Sequence, residues 1–155
     1  MKPFFFKTLV NLYPPYIGAG IHVAHVSRDF RDIRVQMKLR LYNRNYVGTH
    51  FGGSLYAMID PFYMLMLIQV FGPAYVIWDK TAAIEFKKPA RGKVSAHFRL
   101  TEPMIARIRA KTAGGEKYLP EFTIDITDSE NEVVARGFKT LYIRKKRESG
   151  AHRAE

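Results

Sequence analysis

The sequence predicts an α+β fold in which one long central helix is wrapped by an antiparallel sheet of five or six strands. Apolar and polar residues alternate in several segments, which is typical of half-buried strands. Only residues 54–71 form an apolar run long enough for a dominant helix. Turn-forming stretches such as "TAGGEK" and "DSEN" join the later strands, which favours antiparallel pairing. One helix layer on one sheet is a stable architecture for such elements.

Each predicted element rests on a local pattern. "MKPFFFKTLVNLYPPY" has the mixed pattern of a short amphipathic helix. In "DIRVQMKLRL" every second residue from Ile33 to Leu41 is apolar, which predicts a strand with one buried face. Residues 78–86 predict a further strand, with Lys80 on the same, otherwise apolar face as Trp78. The other predicted elements are strands at 21–26, 93–102, 121–128 and 132–145 and a short helix that begins at Pro103.

The length of 155 residues predicts one domain. We expect it to comprise residues 1–145, including the short N-terminal helix, and residues 146–155 to form a basic, flexible tail. The absence of cysteine excludes disulfides, thiolate zinc sites and cysteine nucleophiles. His22 and His25 lack a third ligand at a suitable spacing, so the sequence predicts no metal site.

The net charge of +11 predicts attraction to polyanions. Charge alone leaves open nucleic acid, anionic lipid and a phosphate-bearing small molecule. The sequence has no pattern typical of an RNA- or DNA-binding module, and the basic residues alternate along strands. Nucleic acid is therefore the least favoured of these partners.

Residues 51–78 are apolar enough to raise the question of a transmembrane helix. Asp60 near the centre of such a span would cost about 2.5 to 3.5 kcal/mol, and Gly72, Pro73 and Asp79 interrupt the run. We therefore predict a helix buried in the protein core, and no transmembrane segment.

Asp60 is the central question in this sequence, because a carboxylate in an apolar run needs a partner or a chemical role. Helical spacing places the Tyr56 phenol one turn away. At the start of the run, Gly52 and Gly53 leave first-turn N–H groups free to face an anion or a polarised carbonyl. Asp60 is either a catalytic carboxylate or a helix cap, since Pro61 directly follows it and Asp-Pro is a favourable helix start.

The spacing of Asn45, Gly52-Gly53 and Asp60 resembles the signature of the hotdog-fold acyl-CoA thioesterases, in particular their phenylacetate-pathway-like branch. "EFKKPARGKVSAHFRL" is similar to the strand–turn–strand segment of that fold. The strings "NYVGTHFGGSLYAMIDPFYMLML" and "VIWDK" resemble the DUF4442 subgroup of the superfamily. The resemblance extends over residues 20–144.

The resemblance implies roles for individual residues. The Gly53 N–H, together with that of Ser54, would polarise the thioester carbonyl. Asp60 would act as general base or nucleophile, and Asn45 would orient water or substrate. Further residues implied in substrate binding are Gly52, His50, Tyr56, Asp79, Lys80 and Thr81.

Two departures from the family pattern affect this mapping. Phe51 stands where the relatives have the histidine before the glycine pair, and His50 lies one residue earlier. Asp79 stands where the relatives often have Ser or Thr, so a second carboxylate could raise the pKa of the first or pair with a cation such as Lys80.

Two functions remain open at this point. The first is hydrolysis of an acyl-CoA or acyl-carrier thioester by a cytoplasmic homodimer or homotetramer, with no cofactor other than the coenzyme A of the substrate. The second is a non-catalytic hotdog protein that binds an acyl ligand or a polyanion.

Overall fold

The computed structural model describes residues 1–146. One antiparallel sheet carries two consecutive helices on one face, so the predicted α+β class and its central helical segment are confirmed. The helices are α1 (Pro3–Asn11), α2 (Pro14–Ala19), α3 (Gly52–Ile59), α4 (Phe62–Phe71) and α5 (Glu102–Lys111), with a 3₁₀ turn at Gly72–Ala74. The strands are β1 (Ile21–Val26), β2 (Asp32–Lys38), β3 (Tyr75–Phe86), β4 (Lys93–Arg99), β5 (Lys117–Tyr118), β6 (Glu121–Thr127) and β7 (Val133–Lys145). The predicted tail lies outside the described residues, apart from Lys146.

The strand order is β1-β2-β4-β6-β7-β3, and β5 pairs with β7 beside this path. All neighbouring strands are antiparallel. The described chain holds one strand more than the upper number expected from the sequence, because β5 has two residues and is too short to produce a periodic pattern. The strand β3 lies at one edge of the sheet, next to β7.

The expected single helix over residues 54–71 is divided at Pro61 into α3 and α4. Proline has no N–H to donate and its ring clashes with the preceding turn, so an interior proline breaks or kinks a helix. Both halves keep an apolar side in the core, where Met58, Phe62 and Met66 are fully buried. By length and composition alone, Gly52–Ala74 could cross a membrane. Its inward side chains are part of the hydrophobic core instead.

A β-bulge between Asp79 and Thr81 changes which face of β3 each residue occupies. Before the bulge, Trp78 stacks on Tyr142 on the outer face of the sheet, with ring centroids 4.8 Å apart. After the bulge, Ala82 lies opposite Lys139, which points toward the helices. The prediction that residues 78–86 alternate without interruption was therefore wrong, because one extra residue reverses the order of the two faces.

The predicted N-terminal helix forms as two helices, since Pro14 starts a new one after α1. The helix α1 is attached to β1, where Lys7 Nζ donates to the Ala24 carbonyl oxygen at 2.8 Å. The helix α2 is attached to α3, where the Tyr16 hydroxyl donates to the Ala57 carbonyl oxygen at 3.0 Å. These contacts hold α1 against β1 and α2 against α3.

Candidate active site

The loop before α3 is closed by the side chain of Asn45. Its amide nitrogen donates to Thr49 Oγ1 at 2.9 Å and to the His50 carbonyl at 3.2 Å. Its amide oxygen accepts the backbone N–H groups of Val47 at 3.1 Å and Thr49 at 3.0 Å. An amide side chain can donate twice and accept twice, so this loop uses the whole capacity of Asn45. The geometry assigns Asn45 to holding the start of α3 in place, and leaves its amide no free group for water or substrate.

His50 anchors the same loop to the turn between β3 and β4. Its backbone N–H donates to the Ala90 carbonyl and its Nε2 bonds the Gly92 carbonyl, both at 2.9 Å. The residue is buried, and its Nδ1 has no hydrogen-bond partner among the described residues. Burial lowers the pKa of His50 below its usual value, and the bond to Gly92 opposes this only in part. His50 therefore supports the loop from within, and its side chain is buried in this chain.

The lowered pKa of His50 predicts a pH dependence of stability. Between its folded pKa and about 6.5, the unfolded chain takes up a proton that folded His50 does not. Stability from this group is therefore lost as the pH falls below about 6.5. In urea unfolding at about pH 7.5 and 5.5, His50→Gln should lose less stability on acidification than the wild type. Equal losses in the two proteins would show that His50 is not held neutral.

The first turn of α3 presents the backbone of the glycine pair between two aromatic rings. The N–H of Ser54 donates to the Phe51 carbonyl at 3.0 Å, so it is already in use. The N–H groups of Gly52 and Gly53 donate to no acceptor within residues 1–146. A Cβ at Gly52 would lie 2.9 Å from the Phe86 ring, and a Cβ at Gly53 would collide with the Phe51 ring. The free donors are therefore those of the glycines, and Ser54 does not contribute its N–H.

The carboxylate of Asp60 lies at the other end of α3 and has a partner that the sequence analysis missed. Lys139 Nζ donates to Asp60 Oδ1 at 2.7 Å and lies 3.0 Å from Asp79 Oδ1. The side chain of Lys139 is 1% exposed, whereas those of Asp60 and Asp79 are 43% and 26% exposed. A buried cation thus joins the end of α3 to the edge strand β3. Asp60 has helical backbone angles (φ −59°, ψ −60°) and Pro61 occupies the N-cap position of α4, so Asp60 is not the cap that the Asp-Pro sequence suggested.

The pKa values in this cluster show which groups are charged. Burial by itself lowers the pKa of Lys139, but the hydrogen bond to Asp60 and the ion pair with Asp79 outweigh burial and raise it above its usual value. Burial raises the pKa of Asp79, and Lys139 opposes that rise. Lys139 therefore stays protonated near neutral pH and holds the two carboxylates together.

Tyr56 lies one turn before Asp60, as the helical spacing predicts. Burial, followed by the charge of Asp60, raises the pKa of the Tyr56 phenol above its usual value. The phenol is therefore a proton donor beside the carboxylate at neutral pH.

The structure brings some of the predicted site residues together and separates others. Tyr56, Asp60 and Asp79 come together around Lys139 on the helix side of the sheet. Uninterrupted alternation would place Thr81 on the same face as Asp79, but the bulge puts it on the opposite face, where it pairs with Thr140.

Lys80 also departs from its predicted place. It is the residue inserted at the bulge and it is exposed, so it does not share a face with Ala82. The cation that pairs with Asp79 is Lys139. A signal for Lys139 was present in the sequence, since it occupies a position on the apolar face of the alternating strand "EVVARGFKTLYIRK".

Comparisons with solved structures identify the fold. A protein of unknown function from Pseudomonas aeruginosa, described as a probable thioesterase, superposes with a TM-score of 0.83 at 18% identity over 94% of this chain and 97% of its own. A thioesterase from Haemophilus influenzae gives a TM-score of 0.67 at 15% identity over 94% and 92%. A mutant of the phenylacetic acid degradation protein PaaI from Thermus thermophilus gives 0.57 at 19% identity over 84% and 98%. At these identities the likeness establishes the hotdog fold.

A comparison with curated proteins gives no match. The model of a domain of unknown function, DUF4442, matches residues 2–143, which is nearly the whole chain. The expected subgroup is therefore confirmed: this chain belongs to the DUF4442 family and has the hotdog fold of the thioesterase structures.

Proposed function

We propose that this protein hydrolyses acyl thioesters of coenzyme A or of an acyl carrier protein. The observation that carries the proposal is the state of Asp60. One carboxylate oxygen is fixed by buried Lys139, while the side chain as a whole remains 43% exposed. A fixed, accessible carboxylate on a helix that starts with free N–H groups suits attack on a carbonyl.

The chemistry follows from these groups. The Gly53 N–H polarises the thioester oxygen and stabilises the negative charge that develops there. As a general base, Asp60 takes a proton from water while the water oxygen bonds to the carbonyl carbon. The carbon–sulfur bond then breaks and the leaving thiolate takes the proton back from Asp60, giving a carboxylic acid and a thiol. As a nucleophile, Asp60 would instead form an acyl anhydride that water hydrolyses.

One chain alone does not place these groups on the same carbonyl. Gly53 and Asp60 are seven residues apart, so they lie about 10 Å apart along the helix axis. A base must lie within about 3 Å of the proton that it removes. The proposal therefore needs a site composed of two protomers, with Gly53 from one and Asp60 from the other.

The edge strand β3 offers the means to build such a site. It has twelve residues, most of them at least partly exposed, and a long unpaired edge is a template for pairing. The Phe86 end of its helix-facing side lies by Gly52, and the Asp79 end is joined to Asp60 through Lys139. Antiparallel pairing of two copies about Ala83, with the bulge at Lys80 kept in each strand, would set Phe86 of one opposite Asp79 of the other. That arrangement brings the start of one α3 toward the end of the other.

A dimer or a larger even assembly is therefore expected in solution. Light scattering at micromolar concentration should give at least twice the chain mass of 17.9 kDa. A monomer would remove the composite site and with it this mechanism.

Replacing Gly53 by Val should abolish most of the activity. The branched side chain would fill the approach to the N–H and collide with the Phe51 ring, and loss of one oxyanion donor lowers turnover by about 10²–10³-fold. Phe51 is exposed and can move, so we expect a smaller effect on the thermal midpoint. Gly18→Val is the control, since Gly18 also lies in a helix but has open space around it. If Gly53→Val lost its fold, Gly53 would be a structural turn residue only.

The net charge of +11 supports an anionic substrate, and the phosphates of coenzyme A supply that charge. A cytoplasmic location is part of the proposal. The absence of cysteine is compatible with a reducing compartment.

A panel of acyl-CoA substrates of increasing chain length, followed by release of free thiol, tests the proposal. One observation favours the alternative of a non-catalytic acyl-ligand protein, because the bond to Lys139 gives Asp60 a structural partner. Calorimetric binding of acyl-CoA without release of thiol at any chain length would establish that alternative.

A further inference from the structure

The outer face of the N-terminal helices is apolar and faces solvent. On α1, the side chains that point away from β1 are spaced as one helical stripe. Phe4 is 82% exposed, and Leu12, just after the helix, is 63% exposed. The exposed apolar side chains of this region are Phe4, Phe5, Leu9, Leu12, Tyr13 and Ile17. A surface helix normally presents polar residues on this side, so the pattern needs an explanation.

A loop of similar composition lies beside α2. Asn43 fixes this loop to the end of α2, because its amide nitrogen donates to the Ala19 carbonyl at 2.9 Å. The Tyr42 phenol also lies next to Gly20. The exposed apolar side chains of the loop are Leu41, Tyr42, Tyr46 and Val47. We refer to α1, α2 and residues 41–47 together as the N-terminal apolar surface.

The segments that form this surface carry no acidic residue. Neither residues 1–28 nor residues 33–59 contain an aspartate or a glutamate. Lys2 at the start of α1, Arg40 directly before the loop and Arg44 within it are exposed. The elements that form the N-terminal apolar surface therefore combine aromatic and aliphatic side chains with cations and carry no carboxylate.

We propose that the N-terminal apolar surface binds peripherally to an anionic lipid bilayer. An interfacial helix buries its apolar face at the boundary between headgroups and acyl chains, and its basic residues pair with anionic headgroups. Tyr side chains suit the same boundary, since they are apolar with one polar end. A second copy of this chain fits less well, because it would bring two like-charged surfaces together.

Sedimentation with lipid vesicles tests the proposal on the full-length protein. The vesicles are phosphatidylcholine with and without added phosphatidylglycerol. The protein should sediment with the anionic vesicles, bind the neutral ones weakly, and be released at high salt. Arg40→Gln combined with Arg44→Gln should weaken binding about tenfold or more.

The decisive variant combines Phe4→Ser with Leu9→Ser, because it leaves every charge of this basic chain in place. It should also lose vesicle binding by about tenfold or more. Phe138→Ser is the matched control, since Phe138 is an exposed aromatic residue on the outer face of the sheet. All three variants change exposed residues, and circular dichroism checks that they fold.

Three outcomes would overturn the proposal. The first is wild-type protein that sediments with neither kind of vesicle. The second is a Phe4→Ser/Leu9→Ser variant that binds as tightly as the wild type, which would make the interaction one of diffuse charge. The third is a wild-type protein that does not bind lipid, together with a Phe4→Ser/Leu9→Ser variant that forms a smaller assembly by light scattering. This result would assign the surface to a second copy of the chain. None of these outcomes depends on thioester hydrolysis.

Discussion

Replacing Asp60 by Asn is expected to lower the turnover number for thioester hydrolysis by about 10²–10⁴-fold. The amide has the same shape as the carboxylate and its oxygen can still accept from Lys139, but it cannot take a proton from water or attack a carbonyl. Release of free thiol from the best substrate of the acyl-CoA panel measures the effect.

A matched control for this variant is Asp125→Asn. Asp125 also lies in an ion pair, with Arg136 Nε at 2.6 Å from its Oδ1, but on the outer face of the sheet. It should keep wild-type turnover. An Asp60→Asn protein with full activity would contradict the catalytic role and leave Asp60 as a partner of Lys139 only.

The largest effect on stability is expected when Lys139 loses both of its partners. Combining Asp60→Asn with Asp79→Asn leaves a fully buried ammonium group without a counter-charge. Leaving a buried charge unpaired lowers the free energy of unfolding by about 3 to 5 kcal/mol. Each single variant should lower it by much less, because the other carboxylate remains within 3.0 Å or less of Lys139 Nζ. Urea unfolding of the four proteins measures the coupling.

Adding Lys139→Met to the double variant should restore most of the lost stability. Methionine fills a similar volume without a charge, and apolar replacements of buried ion pairs are often neutral or stabilising. A triple variant as unstable as the double variant would show that packing, and not the unpaired charge, causes the loss.

Together, these two sets of variants separate the possible roles of Asp60. A catalytic carboxylate that Lys139 positions predicts a large loss of turnover in Asp60→Asn at nearly unchanged stability. If Asp60 is purely structural, its variants should hydrolyse thioesters as the wild type does, or no protein should hydrolyse them at all. The only effect is then on stability, through the coupling of Asp60 and Asp79 to Lys139. The helix-cap explanation is disfavoured already, because Asp60 has helical backbone angles and Pro61 occupies the N-cap position of α4.

The sequence by itself determined the parts of this protein that depend on local pattern. Alternation predicts strands because side chains of a strand point to opposite faces in turn. The apolar run predicts the core helical segment because a helix buried on most sides is apolar nearly all round. The spacing of Asn45, Gly53 and Asp60 carried the resemblance to the hotdog family, and the glycine pair was expected at the start of the helical run, where it lies. The break that makes Asp60 the end of α3 appeared only in the structure.

Only the tertiary structure decided which distant groups meet. Asp60, Asp79 and Lys139 are far apart in the sequence, and their pairing depends on the register between β3 and β7. The bulge after Asp79 reverses the faces of β3, and one inserted residue in a strand leaves no clear local signal. The hydrogen bonds that occupy Asn45 likewise depend on the fold of its loop. Contacts between distant residues are set by strand register and loop closure, and neither can be read from the spacing of residues within one segment.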